Sequence, residues 1–247
     1  MTILMMIFVL TINHISAQII ISDDSSFAYR IKLVESFMTK FSAHENDLAL
    51  FDYTMLGNPN DSVYKAAQDF CISAKKYKAT LNYPDTNWFA VANCHGLFKG
   101  KGVDFVLILG VETYGQDQFK WVLLKAQGDV FSMKPQSPTT VTTISPLAHE
   151  TNFMELGRFP KDHILSIRHK NFILDETSVF YSFVNSGLLE IEYVSELSFV
   201  FFQVPGWMFT IREFDRLSKN SGWLIDRCSK MDENKKISLM KNLYSKK

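Results

Sequence analysis

The feature that most restricts the fold is the pair of apolar runs within residues 103–131. The first run, residues 103–112, is apolar at nearly every position, which predicts a strand covered on both faces. In the second run, Phe119, Trp121 and Leu123 share one face of the strand, and Lys120, Val122 and Leu124 share the other. A polar turn separates the two runs, so they are expected to form an antiparallel hairpin. The rest of the chain is expected to fold around this sheet, or around a similar second sheet.

Each half of the chain places predicted helices before predicted strands. In the first half, residues 27–41 and 63–77 carry apolar residues at helical spacing, and residues 88–98 and 130–133 flank the hairpin as strands. Residues 135–144 contain two prolines and a Thr/Ser cluster, which is typical of a linker or an edge strand. The second half has predicted helices from residue 145, and its extended segments are residues 188–193, 197–204, 207–215 and 223–227.

The two halves also align with each other at a constant offset. An offset of 94 places Phe105 on Phe199, Lys125 on Lys219 and Gly128 on Gly222, which suggests an internal repeat. Helices followed by a bent antiparallel meander resemble the NTF2-like (cystatin-like, cone-shaped α+β) superfamily. The resemblance implies an α+β fold of two NTF2-like units, residues 24–134 and 145–247, each with N-terminal helices on a four-stranded meander. It also implies a cone-shaped pocket, which some members use for catalysis and many use only for binding.

Residues 1–17 are predicted to be a signal peptide. Residues 3–12 form an apolar core of the expected length, and Ala17 before Gln18 is a plausible cleavage site. The N-terminal region lacks Lys and Arg, so a buried N-terminal strand or a missing upstream start is the alternative. The Ala17-Gln18 junction resembles that of exported proteins of Bacteroidetes-type bacteria. The resulting expectation is a secreted or periplasmic soluble protein, without an integral membrane segment once the signal is removed.

Charge restricts the class of partner, and the cysteine count restricts the possible disulfides. The chain has 26 basic and 26 acidic residues and a formal net charge of +0, which disfavours a nucleic-acid partner. Its three cysteines are isolated and odd in number, so they cannot form a complete disulfide framework. If the protein is exported, two of Cys71, Cys94 and Cys228 could pair, although each is more typical of a small buried hydrophobic residue.

Motifs for catalysis and metal binding are missing or incomplete. His163 and His169 are six residues apart, whereas helical metal ligands need a spacing of three or four, so no metal or other cofactor is predicted. Cys94 and His95 are strand neighbours that face opposite ways, which excludes a nucleophile–base dyad between them. Glu190 and Glu192 share one strand face, where solvated carboxylates are the simpler interpretation. No catalytic residue is therefore predicted.

Aromatic residues in strands give the best indication of a binding surface. All four tryptophans lie in or beside predicted strands, and Trp207 follows a Pro-Gly turn, where a core position is harder to explain. Candidate binding residues are Trp88, His95, Trp121 and Trp207. The sequence thus favours a non-enzymatic protein that binds a small molecule or a protein partner. The alternative is a small-molecule hydrolase or isomerase, with a pocket dyad drawn from His95, Asp104, Glu112 or Tyr114.

Overall fold

The computed structural model describes residues 25–43, 47–82, 84–113, 119–132, 175–217 and 220–244. Its helices are α1 (Ser25–Ser42), α2 (Tyr53–Leu56), α3 (Ser62–Tyr77), α4 (Glu176–Asn185) and α5 (Glu233–Tyr244). Its strands are β1 (Trp88–Phe98), β2 (Lys101–Thr113), β3 (Phe119–Gln127), β4 (Leu189–Phe201), β5 (Trp207–Phe214) and β6 (Gly222–Lys230). The described residues therefore form an α+β fold, as the sequence predicted. The predicted signal peptide and linker lie outside these residues.

The six strands form one antiparallel sheet in the order β3-β2-β1-β4-β5-β6. This differs from the expected two four-stranded meanders, because β1 of the first half pairs with β4 of the second half along its whole length. The predicted strand at residues 130–133 is not seen over its described part, residues 130–132: a 3-10 helix occupies Asp129–Phe131 and buries Phe131. Residues 188–193 and 197–204, expected as two strands, belong mainly to the single strand β4. Each half contributes three strands to the shared sheet.

Helices cover one face of the sheet over two apolar clusters. Under α1 and α3, Phe41 and Phe70 pack on Phe209 with ring centroids 5.5 and 5.1 Å apart. Under α4, Phe180 packs on Phe105 and Phe131 in the second cluster. The helical stripe predicted for α1 is confirmed where its side chains are described, because Val34, Met38 and Phe41 are all buried; Phe37 is buried beside them. Burial of these aromatic rings supplies the main stabilisation of the fold.

A buried polar network ties the segment before α2 to the turn between β5 and β6. Asp52 caps α2 by accepting hydrogen bonds from the backbone N and the Oγ1 of Thr54, at 3.0 and 2.7 Å. Its carboxylate also accepts a hydrogen bond from Nη2 of Arg216. Asn220 donates from its side chain to the carbonyl of Phe51 at 3.0 Å. Buried polar groups are stable in a core only when they are paired in this way.

The opposite face of the sheet is only partly covered. Tyr244, at the end of α5, lies against Gly110, where a side chain on β2 would collide with its hydroxyl group. No residue of α5 is buried. In the part of the chain that the structure describes, no helix is both long enough and apolar enough to cross a membrane. On this face Asn93 and His95 of β1 are half-buried, and the neighbouring residues 192–196 of β4 are exposed.

Candidate functional site

The candidate site is a cleft where β5 separates from β4. The two strands pair only through residues 198–201 of β4 and 209–212 of β5, although β4 begins at Leu189. On that side, residues 189–197 pair with no other strand among the described residues. The separation leaves a cavity of about 140 Å³ between the two strands.

Irregular pairing between β1 and β4 shapes this edge. The register shifts twice, so that Ser195 and Glu192 are extra residues on β4 opposite a continuous β1. Such bulges bend a strand and strengthen its twist. Gly96 permits the bend, because a Cβ atom at this position would collide with the carbonyl oxygen of Glu190. As a result, residues 192–196 are all exposed, although β4 is a central strand of the sheet.

The cleft combines an apolar wall with charged side chains. Val194, Leu197 and Trp223 supply the apolar part of the lining. Glu196, Arg212 and Glu213 supply two carboxylates and one guanidinium group. Small-ligand sites also combine apolar walls with polar groups that orient the ligand, although this cleft is more polar than most of them.

Acidic neighbours already pair with the guanidinium group in the cleft. Nη1 of Arg212 lies 3.1 Å from Oε1 of Glu196, and its Nε lies 3.3 Å from Oδ2 of Asp226. Oε2 of Glu196 accepts a second hydrogen bond, from Nδ2 of Asn93 at 2.9 Å. Desolvation by burial raises the pKa of Asp226, although the positive charge of Arg212 opposes the shift. Oδ1 of Asp226 is buried without a hydrogen-bond partner among the described residues.

His95 lies outside the cleft, on the exposed face of β1. Its Nδ1 is 2.7 Å from Oδ1 of Asp104, its Nε2 is 3.7 Å from Oε2 of Glu192, and its ring stacks on Tyr193 at 5.2 Å. The two carboxylates meet opposite ring nitrogens and cannot converge on one ion. Accordingly, no described group of three His, Cys, Asp or Glu residues is placed to hold a metal. His95 and its contacts thus join the neighbouring strands β2, β1 and β4. The Asp104 side chain is 87% exposed, so its hydrogen bond to His95 lies in solvent.

The structure places the predicted site residues in different environments. Trp88 and Trp207 are buried in the core, at 0% and 4% exposure, so neither offers a ring to a ligand. Trp121 is 42% exposed on the edge strand β3 and packs against Trp88. Within the alternative dyad, the structure brings together only His95 and Asp104. Glu112 lies beside Lys120 at 3.4 Å, and Tyr114 lies outside the described residues.

Comparisons with known proteins do not assign the cleft a function. No family model, no curated protein and no solved structure matches the chain. Sequence reasoning missed the cleft residues Glu196, Arg212 and Glu213. One signal was present: residues 190–196 carry three glutamates and a serine, whereas the rest of the strand is apolar apart from Ser198.

The three cysteines are free thiols, so the possible disulfide is not formed in this structure. Cys94 faces the core while His95 faces solvent, as strand alternation predicted. Burial raises the pKa of the Cys94 and Cys228 thiols to about 11, which leaves little thiolate near neutral pH.

We therefore expect Cys94 and Cys228 to resist thiol reagents in the folded protein. In a Cys71→Ser variant at pH 8, the two thiols should react with an aromatic disulfide reagent about 100-fold more slowly than in concentrated urea. Absorbance of the released thiolate measures both rates. Fast labelling of the folded protein would contradict the inert environment, and unreactive thiols in urea would indicate a disulfide.

Proposed function

We propose that the protein is a non-enzymatic binding protein whose cleft between β4 and β5 accepts a small amine with an apolar body. The cavity of about 140 Å³ carries this proposal. A dry engineered cavity of roughly 150 Å³ in another protein admits one benzene molecule, so the cleft has room for about one six-membered ring. Val194, Leu197 and Trp223 supply the apolar contacts for such a ring.

The charges of the lining favour a cationic ligand over an anionic one. Two carboxylates, those of Glu196 and Asp226, lie against the single guanidinium group of Arg212. Both lie within ion-pair distance of that guanidinium group, so its charge is already balanced. An ammonium group can add to this acidic excess, whereas a carboxylate would have to displace an existing ion pair.

The alternative hydrolase or isomerase has less support. The hydrogen bond of 2.7 Å between His95 and Asp104 favours it, since an aspartate that orients a histidine is a common arrangement for general-base catalysis. However, neither residue lines the cleft, and Asp104 is mostly exposed. Acid–base catalysis depends on a substrate held against the base in a water-poor site. Export and the NTF2-like resemblance stay predictions from the sequence, whereas the described strands form one shared sheet in place of two separate four-stranded meanders.

Three probes with the same ring and different charge test the proposed ligand class. We expect benzylamine to bind, benzyl alcohol to bind about tenfold more weakly and benzoate to bind least, because a tenfold change is about 1.4 kcal/mol, within the range of one charge-assisted hydrogen bond. Isothermal titration calorimetry measures the three affinities. Equal affinity for all three probes, or no binding by any, would contradict the proposal.

A Glu196→Gln variant should change the affinities for the cationic and the anionic probe in opposite directions. Removing this carboxylate should weaken benzylamine binding and strengthen benzoate binding, because Arg212 loses its partner at 3.1 Å. Glu112→Gln is the matched control, since Glu112 is an exposed carboxylate on β2 that pairs with Lys120. The control should leave all three affinities unchanged.

A further inference from the structure

We propose that the physiological ligand is an extended basic peptide that pairs with the open edge of β4 and places one side chain in the cleft. This inference rests on the proposed function and specifies its ligand class. In recognition by strand addition, backbone hydrogen bonds supply affinity and neighbouring pockets select side chains. The edge of β4 and the cavity beside it provide these two components together.

The open edge is long enough for a short peptide. Among the residues that the structure describes, residues 189–197 face a partner strand only on the β1 side, because β5 separates from β4 beyond the pair Ser198–Arg212. Unpaired backbone N–H and C=O groups at such an edge can accept a further strand. The bulges at Glu192 and Ser195 interrupt the edge, so a partner of roughly five residues, the usual strand length, fits better than a longer one.

Charge selects the chemistry of the incoming strand. Glu190, Glu192 and Glu196 lie on this edge, and β4 contains no Lys or Arg. Two copies of this edge would place like charges opposite each other, which is destabilising. An incoming strand with alternating lysines instead sets its ammonium groups against these carboxylates. The cavity between β4 and β5 can then hold one of its side chains, with the aliphatic stem of lysine against Val194 and Leu197.

Matched peptides separate strand addition from simple charge attraction. The probe is a capped peptide of about seven residues with alternating lysine and valine, the usual length of one strand plus flanks. Its controls are the same peptide with alternate backbone amides N-methylated and a version with glutamate in place of lysine. Titration calorimetry should show at least tenfold tighter binding of the basic peptide than of benzylamine. N-methylation should lower the affinity of the basic peptide at least tenfold, and the glutamate peptide should not bind.

A double variant tests the edge without altering the cavity lining. Glu190→Gln with Glu192→Gln should weaken the basic peptide severalfold and leave benzylamine binding unchanged, since neither residue lines the cavity. Unchanged benzylamine binding also reports that the variant is folded. Glu35→Gln, an exposed carboxylate on α1, is the control and should leave both affinities unchanged.

The outcomes distinguish failure of this inference from failure of the proposed function. If benzylamine binds and the peptide binds no tighter, the cleft is a small-molecule site and strand addition is wrong. Equal binding of the N-methylated peptide would reduce the effect to surface charge and overturn the inference. If no amine binds at all, the proposed function itself fails. Self-association that the double variant abolishes would assign the edge to a second copy, whose β3 carries Lys120 and Lys125.

Discussion

Replacing Trp88 with alanine is expected to lower the free energy of unfolding by about 3 to 5 kcal/mol, the usual cost of truncating a buried aromatic residue. Trp88 is fully buried and lies at the centre of an aromatic group. Its ring stacks on Phe201 at 5.2 Å and contacts Trp121 and Phe199 at 4.9 and 5.8 Å. Alanine would leave a cavity between β1 and β4, the two strands that join the halves of the sheet. Urea unfolding followed by circular dichroism measures the loss.

Trp121→Ala is the matched control, because it removes the same side chain from the same aromatic group. Trp121 is 42% exposed on an edge strand, so less apolar surface is lost and the surroundings can relax. We expect a cost of roughly 1 to 2 kcal/mol, in proportion to the smaller buried area. Equal losses for the two variants would show that Trp88 does not hold the centre of the core.

The same tryptophans show what strand patterns can and cannot predict. Alternation correctly placed Trp88 and Trp207 in or beside strands, but it does not say which face of a strand meets the helices. Trp207 follows the Pro205-Gly206 turn, which suggested an accessible ring. In the structure β5 begins at Trp207 itself, and its ring meets Phe70 at 5.5 Å in the core. The helix that covers it lies more than 100 residues earlier, so no local pattern could have shown this contact.

The sheet was predictable strand by strand, but its pairing was not. The hairpin of β2 and β3 was predicted correctly, because its two strands are adjacent in the chain. The pairing of β1 with β4 joins Trp88 to Phe201, and that contact depends on the packing of both halves. The bulges at Glu192 and Ser195 also disturbed the alternation of β4, which made one strand resemble two shorter ones.

The candidate cleft shows a similar limit. Glu190 and Glu192 were noticed as carboxylates on one strand face, and solvent exposure was the simplest interpretation. The cavity lies further along the same strand, at residues 194–197, and it arises because β5 leaves β4 at Arg212. Where two paired strands separate depends on twist and on packing of both faces, which a sequence pattern does not encode directly.

The buried network around Asp52 had no sequence signal, and it leads to the second large expected effect. Asp52→Ala should cost about 3 kcal/mol, because it removes the cap of α2 and leaves Arg216 without its carboxylate partner. Asp69→Ala is the control. Its exposed carboxylate pairs with Lys230 at 3.0 Å on the surface, where such pairs contribute about 1 kcal/mol or less. Urea unfolding compares the two, and equal losses would contradict a structural role for the network.

The pH dependence of stability gives an independent test of the same carboxylate. Burial alone would raise the pKa of Asp52, but hydrogen bonds from Arg216 and Thr54 outweigh it and hold that pKa below its usual range. A carboxyl group with a lowered pKa in the folded state stabilises the protein above its unfolded pKa of about 4, and this contribution disappears as pH falls through the folded value. Asp52→Asn should therefore destabilise the protein near neutral pH and lose that effect progressively below about pH 4.

The carboxyl group of Asp226 should give the opposite pH dependence of stability. Desolvation raises its pKa, so the folded state binds its proton more tightly than the unfolded state does. The Asp226 carboxyl group therefore contributes a stabilisation that decreases as pH rises above about 4, and Asp226→Asn should remove it. The Asp52 carboxyl group contributes a stabilisation that increases with pH, and Asp52→Asn should remove that one. Thermal unfolding of both variants between about pH 3 and pH 7 covers the two windows. Difference profiles with the same slope would show that the two carboxyl groups do not occupy the distinct environments seen in the structure.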